Sequence, residues 1–269
     1  SFGSIRNLTV KNADVTGYYL VGGLVGMHGG TLENITLNGT NTIKGSQGVG
    51  GIVGVNFGGI SKCAATADIV VLVDPAYPSQ SIYNGNSGGV LMGGMEGGSI
   101  ADCIANGGSV TAAAVDNCWG LGGLAGNIYK GPSIINCWAE NITITASGSN
   151  NSHIGGLVGF TGTYEGDPTS VSDCLVSNVT ITVSNTTTQV GGLIGGCWPN
   201  TGNPEGDQSL GRYRVNSGTV NGCVITGGVE SVGSIVGYAY DSTVENSTAT
   251  NVTWSGGELQ QIGHNENES

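Results

Sequence analysis

The chain has 269 residues, 51 of them glycine against 6 prolines and 3 phenylalanines, and no strict three-residue glycine period runs through it, which excludes collagen. Apolar residues make up 38% and charged residues only 10%, so the chain is too apolar for disorder and poor in helix-forming material; the Ser, Thr, Asn and Gly that remain suit short strands and tight turns. A net charge of −12 with only seven Lys and Arg argues against nucleic-acid and anionic-lipid surfaces, and no run of about 18 apolar residues offers a membrane span.

In chain order, the first element to recur is a strand of the form Ile-x-x-Cys-x-Ala. Its central column reads Leu8, Ile35, Cys63, Cys103, Cys137, Cys174, Cys223 and Ser247. Three residues earlier stand Ile5, Leu32, Ile60, Ile100, Ile134, Val171, Val220 and Val244, aliphatic every time. The second element is Thr-rich and alternates with period two, as in Asn141-Ile142-Thr143-Ile144-Thr145 and Asn178-Val179-Thr180-Ile181-Thr182, a strand signature. Val70, Val110, Val229 and Val252 mark it in other units. The third element is Val-Gly-Gly-Leu-Val-Gly at Val21–Gly26. It returns at Val49–Gly54, Ser87–Met92, Leu121–Gly126, Ile154–Gly159, Val190–Gly195 and Val232–Gly237, with an echo at Ile262-Gly263.

Three short strands per unit in shared columns predict the coil of a parallel β-solenoid, since one coil cannot bury its inner side chains and stacking at about 4.8 Å does so. The expectation is an all-β chain, a right-handed parallel β-helix of about eight coils forming a single domain over residues 1–269. The hand follows from the general preference of parallel crossovers. The glycine-rich motif is not a phosphate loop, because no helical segment follows any copy. Its apolar positions are the first, fourth and fifth, which period two cannot place on one face. The Gly pair is therefore expected to absorb a bend, with the fourth position buried throughout. The chain opens on Ser1-Phe2-Gly3-Ser4-Ile5, inside the repeat pattern and without an initiator Met, so a fragment of a longer polypeptide is expected.

Gly155–Gly159 followed by Val171–Val176 resembles the GLUG motif, a repeat of bacterial surface and secreted proteins that include immunoglobulin-A-cleaving metallopeptidases. The resemblance implies an adhesin-like accessory region outside the cell with no catalytic residues of its own. The zinc motif His-Glu-x-x-His of those peptidases is absent, for His28, His153 and His264 are isolated in the sequence.

Candidate sites are sparse. Five cysteines share the central column, where thiols act as small apolar side chains; Cys118 and Cys197 lie outside it. Asp102 and Asp173 occupy one column, but Asn7, Asn34, Lys62, Asn136, Gly222 and Asn246 share it, which reads as an outward polar ladder and not as paired catalytic carboxylates. Insertions at Asp74–Ser87, Thr161–Thr169 and Cys197–Gly218 interrupt the regular spacing, and the last two are expected at one corner of adjacent coils. They supply the candidate ligand surface of Tyr164, Glu165, Asp167, Trp198, Asp207, Arg212 and Tyr213, rings that suit sugar stacking and carboxylates that suit Ca²⁺. No cofactor is built into the coil. The expected function is a non-catalytic, extracellular scaffold, secreted or anchored at the cell surface. It spaces other domains of its polypeptide, with glycans or host surface proteins as partners and neither nucleic acid nor direct membrane insertion. The rival readings are a carbohydrate-active β-helix enzyme and a protomer joining end to end in a filament or surface layer.

Overall fold

The computed structural model describes residues 3–72, 86–113, 118–130, 132–148, 153–163, 169–184, 187–199, 213–227, 229–240 and 242–265. Among them there is no helix, and the named strands gather into one sheet of twenty strands and a second of fourteen. All pairings between the named strands are parallel, and each strand lies against its counterpart in the neighbouring repeats. One column shows this over the whole length: Asp14 pairs with Thr42, Thr42 with Asp68, then Ser109, Thr143, Thr180, Val224 and Thr253 follow in register. Eight repeats are therefore stacked among the described residues.

Each repeat is more finely cut than three strands. In the fifth repeat the larger sheet receives Ser133–Ile135, Trp138–Glu140 and Thr143–Ala146, and the smaller sheet receives His153–Gly155 and Val158–Thr163. The break inside Ile-x-x-Cys-x-Ala falls at the residue before the central column. There Asn7, Asn34, Lys62, Asp102, Asn136, Asp173, Ser217 and Asn246 all have φ between 50 and 57°. Asparagine and aspartate tolerate this left-handed conformation better than most side chains, which is why the column is rich in them. A second such column runs through Asn12, Asn141, Asn178 and Asn251, with Gly39, Gly107 and Gly222 in the equivalent places. The polar ladder is thus a backbone corner as well as an exposed row. Its side chains bond along the stack: Asn34 Nδ2 donates to Asn7 Oδ1 at 2.7 Å, Asn136 to Asp102 at 2.7 Å and Asn178 to Asn141 at 3.3 Å.

The seventh repeat departs from the predicted register. Val215, not Val220, pairs with Val171, and Val220 pairs with Val176, so Gly218 takes the central column and Ser217 the left-handed corner. Cys223 then stands beside Val179, and Ile225 beside Ile181 fills the Thr-rich strand in place of Val229. The column of thiols accordingly has four members, Cys63, Cys103, Cys137 and Cys174. Each donates to the carbonyl two residues before it at 3.2–3.3 Å. All seven cysteines are free and buried. Burial pushes Cys118, Cys197 and Cys223 up to about 12, so these thiols stay protonated and apolar in character.

The Gly pair is the corner between the two strands of the smaller sheet, as in Tyr19–Gly22 and Val25–His28. Close approach, not φ, demands glycine here. A Cβ on Gly155 would run into the carbonyl oxygen of Val158, and one on Gly156 into the carbonyl of Gly192 in the next repeat. In the third copy the register is one residue later than the sequence suggests, because Val49 pairs with Gly88. The fourth position is buried as expected: Ile52, Leu124, Leu157, Leu193 and Ile235 are 0% exposed, as are both Val90 and Leu91. Leu24, in the first repeat, is partly buried against the same core.

Candidate functional site

The strands that lead into the second and third insertions lie side by side. Thr161 pairs with Cys197, Gly162 with Trp198 and Thr163 with Pro199, so both insertions leave the same corner of adjacent repeats. Of the seven residues expected to form a ligand surface, Tyr164, Glu165, Asp167, Asp207 and Arg212 lie outside the described residues, and so does most of the first insertion. Trp198 is exposed on the outer face. Tyr213 is not: it is 2% exposed within the core, and its hydroxyl donates to the carbonyl of Trp198. Its ring is spent on packing, and its tip holds the backbone that carries the indole.

Around Trp198 the structure assembles a strip of rings that the insertions alone did not suggest. Counting five residues on from the first glycine of each pair gives Asn127, Phe160, Gly196 and Tyr238, and these pair in register, with His264 after them. On the facing strand of the same corner Gly120, His153, Gln189 and Ser231 form a second register column. The two columns meet across the bend. His153 stacks on Phe160 with centroids 4.6 Å apart, Tyr129 lies 5.3 Å from Phe160, Trp198 lies 5.3 Å from Tyr238, and Tyr238 stacks on His264 at 5.3 Å. Trp119 joins them through a bulge, since it lies between the residues paired with Asn86 and Ser87, and its edge meets Phe160 at 84°.

His153 is the most constrained member. Its imidazole is 5% exposed, and burial, opposed by the Gln189 side chain, lowers its pKa to about 3, so it is neutral at physiological pH. Beyond the approach of these two side chains to each other, no other group among the described residues bonds His153 Nδ1 or Gln189 Oε1. Gly196 makes room for both, because a Cβ there would strike His153 Nδ1 and come within 2.9 Å of Gln189 Oε1. The glycine count along the smaller sheet was the signal in the sequence that leads to this strip. Asp102 and Asp173, the carboxylates weighed for catalysis, are exposed corners with Asn136 in the repeat between them. Among the described residues no group of three or more His, Cys, Asp and Glu is placed to hold a metal ion.

The chain is an array of parallel-paired repeats with glycine corners, and part of it matches a known repeat motif. Residues 228–255 match the GLUG motif model, which places a GLUG motif in this chain. A halomucin of Haloquadratum walsbyi (strain DSM 16790 / HBSQ001) is 46% identical over 61 residues, covering 22% of this chain and 1% of that protein. No solved structure matches.

Proposed function

We propose that this chain is a right-handed parallel β-helix that serves as a non-catalytic, adhesin-like scaffold outside the cell, spacing or presenting other modules of its polypeptide and engaging glycans at cell surfaces. The observation that carries the reading is the in-register column running from Asp14 to Thr253, because such a stack lengthens by one strand spacing per repeat without any new kind of core. The GLUG motif and the similarity to a surface protein over a short stretch support the location. The polar columns of the larger sheet serve backbone corners, which favours a scaffold over an enzyme. Antibody against this chain, applied to intact cells that make the full-length protein, tests the proposal. Binding without lysis is expected; binding only after lysis would overturn it.

A further inference from the structure

We propose that the aromatic strip on the smaller sheet, from the fourth to the seventh repeat, binds a neutral glycan chain lying along the stack, with sugar rings on Trp119 and Trp198. This deepens the surface-scaffold reading by giving it a ligand site, and it rests on that reading for the ligand's source. Trp119 and Trp198 are 45% and 44% exposed, and His153 lies between them with ring centroids 6.4 Å from each. Both indoles are packed: Phe160 stands nearly perpendicular to Trp119, and Tyr238 lies beside Trp198, whose backbone carbonyl accepts from the Tyr213 hydroxyl. Rigid rings left open to solvent suit the apolar C–H faces of sugars, because little side-chain freedom remains to be lost on binding.

Beneath the indoles are His153 Nδ1 and Gln189 Oε1, polar atoms that no third group bonds, with the imidazole 5% exposed. Charge selects the class of glycan. The strands Cys118–Gly122, Ala125–Tyr129, His153–Gly155, Val158–Thr163, Thr187–Gly191 and Ile194–Pro199 hold no Asp, Glu, Lys or Arg, and Val229–Ala239, which carries Tyr238, holds only Glu230, so no cation in these strands pairs with a uronate or sulfate. Geometry selects a polymer. Trp119 and Trp198 belong to the fourth and sixth repeats, about 10 Å apart along the stack at about 4.8 Å per strand, and a repeating column of groups suits a repeating ligand.

Affinity electrophoresis tests the proposal, with gels containing dextran, mannan, hydroxyethyl cellulose or, as the charged control, polygalacturonate. Retardation by at least one neutral polymer is expected, weakened about tenfold by Trp119→Ala or Trp198→Ala and abolished in the double variant. Trp138→Ala should leave it unchanged, since Trp138 is exposed on the other sheet. Circular dichroism melting of each variant confirms that the fold persists. No retardation by any neutral polymer, retardation by polygalacturonate alone, or retardation indifferent to both indole replacements would each overturn the site. None of these results touches cell-surface exposure, which antibody binding to intact cells decides separately.

Discussion

Asn141 shows how a single residue shapes the stack. Its φ of 56° turns the chain between Trp138–Glu140 and Thr143–Ala146, and its amide donates to Asn106 Oδ1 at 3.0 Å. Asn141→Gly is expected to change stability by a few tenths of a kcal/mol, whereas Asn141→Val should cost about 1–2 kcal/mol from the left-handed conformation alone, as measured by denaturant unfolding. The sequence revealed that such columns are polar and exposed. It did not reveal that they are left-handed, because Lys62 occupies the same corner as the asparagines and disguises the conformational demand. His153 makes a prediction in pH. Its ordinary value is 6.5 and its folded value about 3, so the neutral ring's contribution to stability is complete above pH 6.5 and is lost as the pH falls from there toward 3. Thermal melting of His153→Gln should therefore show a shallower loss of Tm between pH 7 and pH 4 than the unaltered chain. An equal loss in both would show that His153 is not the titrating group.

At the scale of the element, the glycine corner determines which strands face each other across the smaller sheet. Gly156→Ala puts a methyl against the Gly192 carbonyl and the Val176 side chain, so the next repeat must move, while Leu157→Ala leaves a hole at a fully buried position. The second change is expected to cost about 2–5 kcal/mol and the first to lower Tm as well, both read by calorimetry. Most of this corner could be read from the sequence because Gly-Gly-Leu-Val recurs with little variation. The register of the third and seventh repeats could not. Ser87-Gly88-Gly89 and Val220-x-x-Cys223-x-Ile225 both mimic the repeat pattern, the first displaced by one residue and the second by five, and only strand pairing distinguishes the copies from the true columns. The aromatic strip escaped for a related reason. Its rings are spread over four repeats and come together only when the register places Phe160, Gly196 and Tyr238 side by side.

For the whole molecule, what the repeats achieve together is a single core that runs continuously from the first described repeat to the last, with parallel strand pairing joining each repeat to the next. Separation along the stack must then depend on repeat number and not on sequence distance, even where insertions of different length intervene. In the column from Asp14 to Thr253, Asp14, Asp68, Thr143, Thr180, Val224 and Thr253 are exposed and Thr42 and Ser109 half-buried, while the native thiols are buried and shielded from labelling. Pairs of nitroxide labels, one at Asp14→Cys and the other at Thr143→Cys, Thr180→Cys, Val224→Cys or Thr253→Cys, measure the stack directly by electron–electron resonance. Distances of about 19, 24, 29 and 34 Å are predicted, a rise of about 4.8 Å for each repeat crossed. Distances that fail to rise in equal steps, or that follow the lengths of the insertions, would contradict the stacked, in-register arrangement on which everything above depends.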